Sequence, residues 1–424
     1  MPRHRRLSAS RFNLDNFRRQ LASVDALPQL CLLAVFSGLL TGLLMMLFRQ
    51  LISFGAWLFM PTGRSEMFEA LPVHWRMALP LIAVTIIGGG LYLFQPLRAQ
   101  KMGVGHVIER LTYHQGQLPL ANWLNQWWVG VVSVLGGLSA GREGPAIHLG
   151  AGASSWIGSR LRLPHNSLRV LVGCGTAAGI SASFNTPIAG VIFAMEVVMM
   201  EYTITGFMPV ILASTMGAIV TLLVYGGEPA FTVPAEISST FVDIPWIVVT
   251  ALLVGLMAGA FIRLGRLAPR LDRFPWQTRL LAIGALTGII AWWYPEVQGI
   301  GYDTVALALN GDPSLDMLFV VAVGKLVLTA LTLACGIPIG IIGPVIVVGA
   351  SAGALCGMAG ELLLPSFISD AHLYVMLGMA AMMGAVLQAP LAAIMALIEL
   401  THNPNIILPG MLAVVIASLT SRQC

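Results

Sequence analysis

Charge is what this sequence has least of. Its 424 residues include 23 Lys and Arg and 19 Asp and Glu, so 10% are charged, where an ordinary soluble protein has about 25%. That shortage excludes most soluble classes. With 57% hydrophobic residues and a mean hydropathy of +0.83, the solvent is lipid and the chain is an integral membrane protein. Polar blocks long enough to fold apart are also missing, so no appended enzyme domain is expected. The five cysteines are odd in number and lack CxxC or Cys/His ligand spacing, which predicts buried free thiols and no metal centre. No HExxH and no Ser/Lys arrangement at motif-like spacing occurs; the chain reads as a non-enzyme without a cofactor. The net charge of +4 does not indicate a nucleic-acid partner, because the bases cluster beside apolar runs as positive-inside signals.

What is present is a series of apolar segments, beginning with a run over 27–60 that follows six arginines (Arg3, Arg5, Arg6, Arg11, Arg18 and Arg19). Those arginines argue against a cleavable leader. At 1.5 Å per residue the run would be about 50 Å long, so it must tilt, kink or continue along the interface. The segments are continuously apolar and hold many of the 45 glycines, which predicts a close-packed helical bundle and not a β-barrel.

The two halves repeat. Gly141–Ala153 aligns without gaps on Gly340–Ala352 through GxxGPxIxxGAxA, at an offset of 199. Asn185-Thr-Pro-Ile-Ala-Gly, running on to Glu196, aligns on Gln388-Ala-Pro-Leu-Ala-Ala, running on to Glu399, at an offset of 203. A weaker pair is Gly103-Val-Gly105 with Gly299-Ile-Gly301. Flanking charge gives orientation. Arg160, Arg162 and Arg169 follow the first Gly-Pro helix, whereas Glu361 and Asp370 follow the second, so the halves are inverted. Glu228, Glu236 and Asp243 mark an outside loop, and Arg263, Arg266, Arg270, Arg273 and Arg279 an inside one. The expected organisation is a cytoplasmic basic segment over 1–26, a first transmembrane repeat over 27–226 and a second, inverted repeat over 227–424. The fold class is an all-α polytopic membrane protein of two inverted-topology repeats with short broken helices.

Inverted halves with Gly-Pro-interrupted helices point to a midplane ion site. Helix starts carry partial positive charge and unpaired N–H groups, which suit a small anion, and such starts are expected at Gly103, Gly141 and Gly340. Glu143 sits in one of these turns. An acid inside the membrane is costly and functional by default; ionised, it could fill the anion's place, and protonated, leave it. The competing reading is a structural ion pair with Arg142 or another base.

GREGP at 141–145, GIPIGIIGP at 336–344 and the FNTPIAG run from 184 resemble the CLC family of chloride channels and anion/proton exchangers, and most of all its bacterial ClcB-type branch. The resemblance covers nearly the whole chain from about residue 27. It implies a homodimer in the bacterial inner membrane, with a cytoplasmic N-terminus, one anion pathway per subunit and no CBS domains. It also implies that Glu143 is the gate, that the backbone N–H groups of Ile341 and Ile342 bind the anion, and that Gly141, Arg142, Gly144 and Pro145 form the turn around the gate. Three departures stand out. Val104 replaces the family's coordinating serine, the last helix with its coordinating tyrosine is expected to be lacking, and Val197 occupies the place where family exchangers carry a proton-transfer glutamate.

Val197 favours passive conduction. The expectation is therefore a voltage-gated chloride or monovalent-anion channel gated by Glu143, serving as an electrical shunt during acid stress, with a proton-coupled exchanger as the alternative. Glu196 and Glu201 are candidate proton relays, although the match of Glu196 to Glu399 suggests a helix-end structural acid. His106 and His148 read as packing or hydrogen-bonding residues. Lys325 is expected to pair with a buried acid, to snorkel or to attract the anion, and Trp123, Trp127 and Trp128 with Trp292 and Trp293 to form interfacial belts.

Overall fold

The computed structural model describes residues 27–63, 66–93, 102–227, 229–233, 241–365 and 370–424. The segment 1–26 with its arginines, and Glu228 and Glu236 of the expected outside loop, lie outside the described residues. The described chain is helical. In order the helices are α1 (Leu27–Phe59), α2 (Val73–Leu93), α3 (Val104–Tyr113), α4 (Leu120–Leu135), α5 (Glu143–Arg160), α6 (His165–Phe184), α7 (Pro187–Phe193), α8 (Ile204–Tyr225) and α9 (Ile244–Gly265). They continue as α10 (Ala268–Leu271), α11 (Trp276–Trp293), α12 (Tyr302–Asn310), α13 (Leu315–Val320), α14 (Leu326–Ala334), α15 (Ile342–Leu363), α16 (Ala371–Leu387), α17 (Pro390–Thr401) and α18 (Ile407–Gln423). A π turn over Ala194–Met199 continues α7, and another over Val321–Lys325 joins α13 to α14. Among the described residues, eight spans are long and apolar enough to cross a membrane. The first apolar run forms the single 33-residue helix α1.

Local sequence sets the helix breaks twice over. Asn185 and Gln388 end α6 and α16 in the left-handed conformation (φ 60° and 54°). Two residues later Pro187 and Pro390 start α7 and α17, where a missing N–H costs nothing. Both pairs are 203 residues apart, as in the sequence repeat. Packing repeats as well: α5 lies along α6 and α15 along α16, while α1 pairs with α8 and α9 with α18. Glycine makes the two inner crossings possible. A Cβ on Gly150 would collide with the Gly175 carbonyl oxygen, and one on Gly349 with that of Gly378. In lipid, where apolar surface gains nothing by leaving the solvent, such close backbone approach supplies the contact that holds helices together.

The tryptophans divide into two groups. Trp292 and Trp293 are exposed, whereas Trp123 and Trp127 pack into a cluster with Phe48, Ala146 and Leu149, and Trp128 covers Gly90. Tight helix crossings here use the rings as filler. Of the thiols, all unbridged, Cys174 and Cys356 are buried and Cys31, Cys335 and Cys424 half-buried.

Candidate anion site

The Gly-Pro turns of the two halves meet each other. The Gly141 N–H donates to the Gly340 carbonyl at 2.7 Å and the Gly340 N–H to that of Gly141 at 3.2 Å, bringing the starts of α5 and α15 together. Gly144 lies so close to Gly340 that a Cβ there would stand 2.8 Å from the Gly340 Cα. Glu143, the first residue of α5, is wholly buried at this meeting point. Its Oε2 accepts the N–H of Gly343 at 3.2 Å, and its Oε1 accepts the Tyr302 hydroxyl at 3.0 Å. A carboxylate is thus seated on the N-terminus of α15, where backbone dipoles favour negative charge. Ile341 and Ile342 stand at the cap and first position of that same helix.

Arg142 does not close an ion pair with Glu143; its guanidinium lies 5.7 Å above the Tyr302 ring. Val104 begins α3, capped by Gly103 at φ +84°, and packs with Ile341 and Tyr302 against the main apolar cluster. Beside Tyr302 opens a cavity of about 470 Å³ that Glu66 and Asp303 also line. On the segment between α1 and α2, burial and the neighbouring Asp303 carboxylate push Glu69 up to about 7.

Tyr302 was not among the residues singled out by sequence. Its signal was the weak glycine pair, read in the wrong register. Gly103 and Gly301 are the residues that cap α3 and α12, an offset of 198, so Tyr302 is the counterpart of Val104. Lys325 also has a different role from any expected: its Nζ donates to the carbonyls of Val297, Gln298 and Gly299 at 3.1 Å each and of Glu296 at 3.4 Å. A fully buried cation thereby fixes the segment leading to Gly301 and Tyr302, its charge met by backbone dipoles.

The two relay candidates are engaged elsewhere. Glu196 accepts the N–H groups of Leu391 and Ala392 at the start of α17 (3.3 and 2.8 Å), and Glu399 accepts those of Ile188 and Ala189 at the start of α7 (2.9 and 2.7 Å). Each half's acid finishes the other half's helix. Glu201 pairs with Arg169 at 3.1 Å on an exposed surface. No cluster of three or more metal-ligating side chains occurs among the described residues.

A family model described as Voltage gated chloride channel matches residues 83–422. The H(+)/Cl(-) exchange transporter ClcA of Salmonella arizonae is 28% identical over 423 residues, covering 95% of this chain and 88% of the relative. That of Vibrio campbellii is 26% identical, covering 92% and 86%. Among solved structures, a slow cyanobacterial Cl-/H+ antiporter superposes with a TM-score of 0.82 at 24% identity, over 93% of this chain and 95% of that one. A CLC-type fluoride/proton antiporter gives 0.75 at 24% identity, over 94% and 95%. These similarities correct the expectation of a passive, voltage-gated channel. Relatives aligned along nearly the whole chain are exchange transporters by name. The channel reading leaned on one side chain, Val197.

Proposed function

Since this chain belongs to the Voltage gated chloride channel family, we propose that it is a proton-coupled exchanger of chloride or a similar monovalent anion. One observation carries the reading: the Glu143 carboxylate occupies a place made for an anion, between the Gly343 N–H and the Tyr302 hydroxyl. A proton on that carboxylate cancels its charge and weakens both hydrogen bonds, so the side chain gives up the helix start and an anion takes it. Deprotonation returns the carboxylate and expels the anion. The carboxylate and the anion thus occupy one place in alternation, and a proton decides which of them does, so anion occupancy is tied to protonation as exchange requires. Glu143 is the gate in this scheme, and the backbone of Ile341 and Ile342 supports the anion while Gly141, Arg142 and Gly144 shape the turn.

The setting of this cycle is a multi-pass protein of the inner membrane with the N-terminus cytoplasmic, on the ClcB-type branch that the GREGP and FNTPIAG motifs resemble. The assembly is a homodimer with one pathway per subunit. Its test is the reversal potential of purified protein in liposomes under an imposed pH gradient. Exchange moves that potential with pH; a potential fixed at the chloride Nernst value would refute it.

A further inference from the structure

With Val197 unable to carry a proton and Glu196 and Glu201 engaged, proton transfer to Glu143 needs another group. One buried pair fits. His106 on α3 and His148 on α5 are 7% and 0% exposed, and His106 Nδ1 lies 2.9 Å from His148 Nε2. Their rings stack with centroids 5.2 Å apart. The Asn122 amide nitrogen lies 3.4 Å from His106 Nε2. With that amide as donor, His106 carries its proton on Nδ1 and donates it to His148 Nε2. The His148 proton then stands on Nδ1, which is buried and has no hydrogen-bond partner among the described residues. An unpaired buried donor costs free energy that packing alone does not require.

The pair lies within reach of the gate by way of water. His148 follows Glu143 by five residues on α5, about 7.5 Å along the helix axis and on a different face of it. Helix α3 packs against the π turn that carries Val197. Glu109, three residues after His106 and so on the same face of α3, leads toward the end of that helix that bears Arg110.

We propose that His106 and His148 form the proton-relay site of this protein, serving in place of an acid at position 197; the inference rests on the exchange reading above. A proton arriving at His106 Nε2 displaces the Nδ1 proton onto His148 Nε2. His148 in turn releases its Nδ1 proton, through water, to the Glu143 carboxylate. One proton enters and one leaves, and rotation of the two rings resets the tautomers. The other ionisable groups on the packed elements are Glu109 and Arg110 on α3, Glu143 and Arg160 on α5, and Glu196 on the π turn. Tyr113 ends α3, helix α6 adds His165, Arg169 and Cys174, α1 adds Cys31 and Arg49, and α15 adds Cys356 and Glu361, whereas α4 offers only the amides of Asn122, Asn125 and Gln126.

The experiment compares proton and chloride fluxes of the full chain in liposomes with those of His148→Gln and His106→Leu. The expected result is proton flux lowered on the order of a hundredfold, chloride flux retained, and a reversal potential that collapses onto the chloride Nernst value. A variant that keeps the native proton-to-chloride ratio overturns the proposal. A parallel loss of both fluxes in both variants also overturns it, by identifying the pair as packing. An unmodified protein whose potential ignores pH would instead refute the exchange reading itself, so the two failures are distinct.

Discussion

At the scale of single residues, the site depends on two donors that arrive from the other half of the chain to hold one carboxylate. The Tyr302 hydroxyl is the one that a side-chain substitution can remove. A hydrogen bond to a charged group is worth about 1.5–3 kcal/mol, and about 1.4 kcal/mol corresponds to one pH unit. Tyr302→Phe should therefore let Glu143 accept a proton more readily and leave its seat more often. The expected outcome is faster chloride turnover at neutral pH and a flux-versus-pH curve displaced by about one unit to the alkaline side, read by chloride efflux across a pH series. An unmoved curve would show that the Gly343 N–H alone holds the carboxylate.

At the scale of helices, glycine decides how near two axes come. Gly150→Val and Gly349→Val each drive a side chain into a carbonyl oxygen of the facing helix, where overpacking costs about 1–3 kcal/mol and backbone contact sets the upper end. Both should lower the thermal midpoint in detergent and the yield of folded protein. Gly105→Ala, where a Cβ meets nothing within 4 Å, should leave stability unchanged or raise it by about 0.5–1 kcal/mol. A similar loss at all three positions would refute the crossing argument. Helix starts were the most legible elements in the sequence, because proline punctuation acts locally: Glu143, Pro187 and Pro390 all begin helices where their motifs place them. Tyr302 and Lys325 were not legible. Tyr302 meets Glu143 across 159 residues, and the partners of Lys325 are carbonyls, which carry no residue-type signature. Trp123 and Trp127 read as belt residues because composition cannot tell a ring facing lipid from one filling a helix crossing.

At the scale of the molecule, the halves are tied by exchanges that run both ways: Gly141 with Gly340, and Glu196 with Glu399 through the helix starts they cap. Co-expressed polypeptides 1–227 and 228–424 should therefore assemble and catalyse chloride flux, whereas either alone should not; flux from a single half in liposomes would contradict the shared site. The reciprocal caps also bear on synthesis. Helix α7 is complete only when Glu399 has been made, about two hundred residues after α7 itself, and the same delay applies to the Gly343 and Tyr302 donors that seat Glu143. A chain still emerging from the ribosome thus has no finished anion site, and a membrane that depends on its ion gradients is spared a leak through half-made copies.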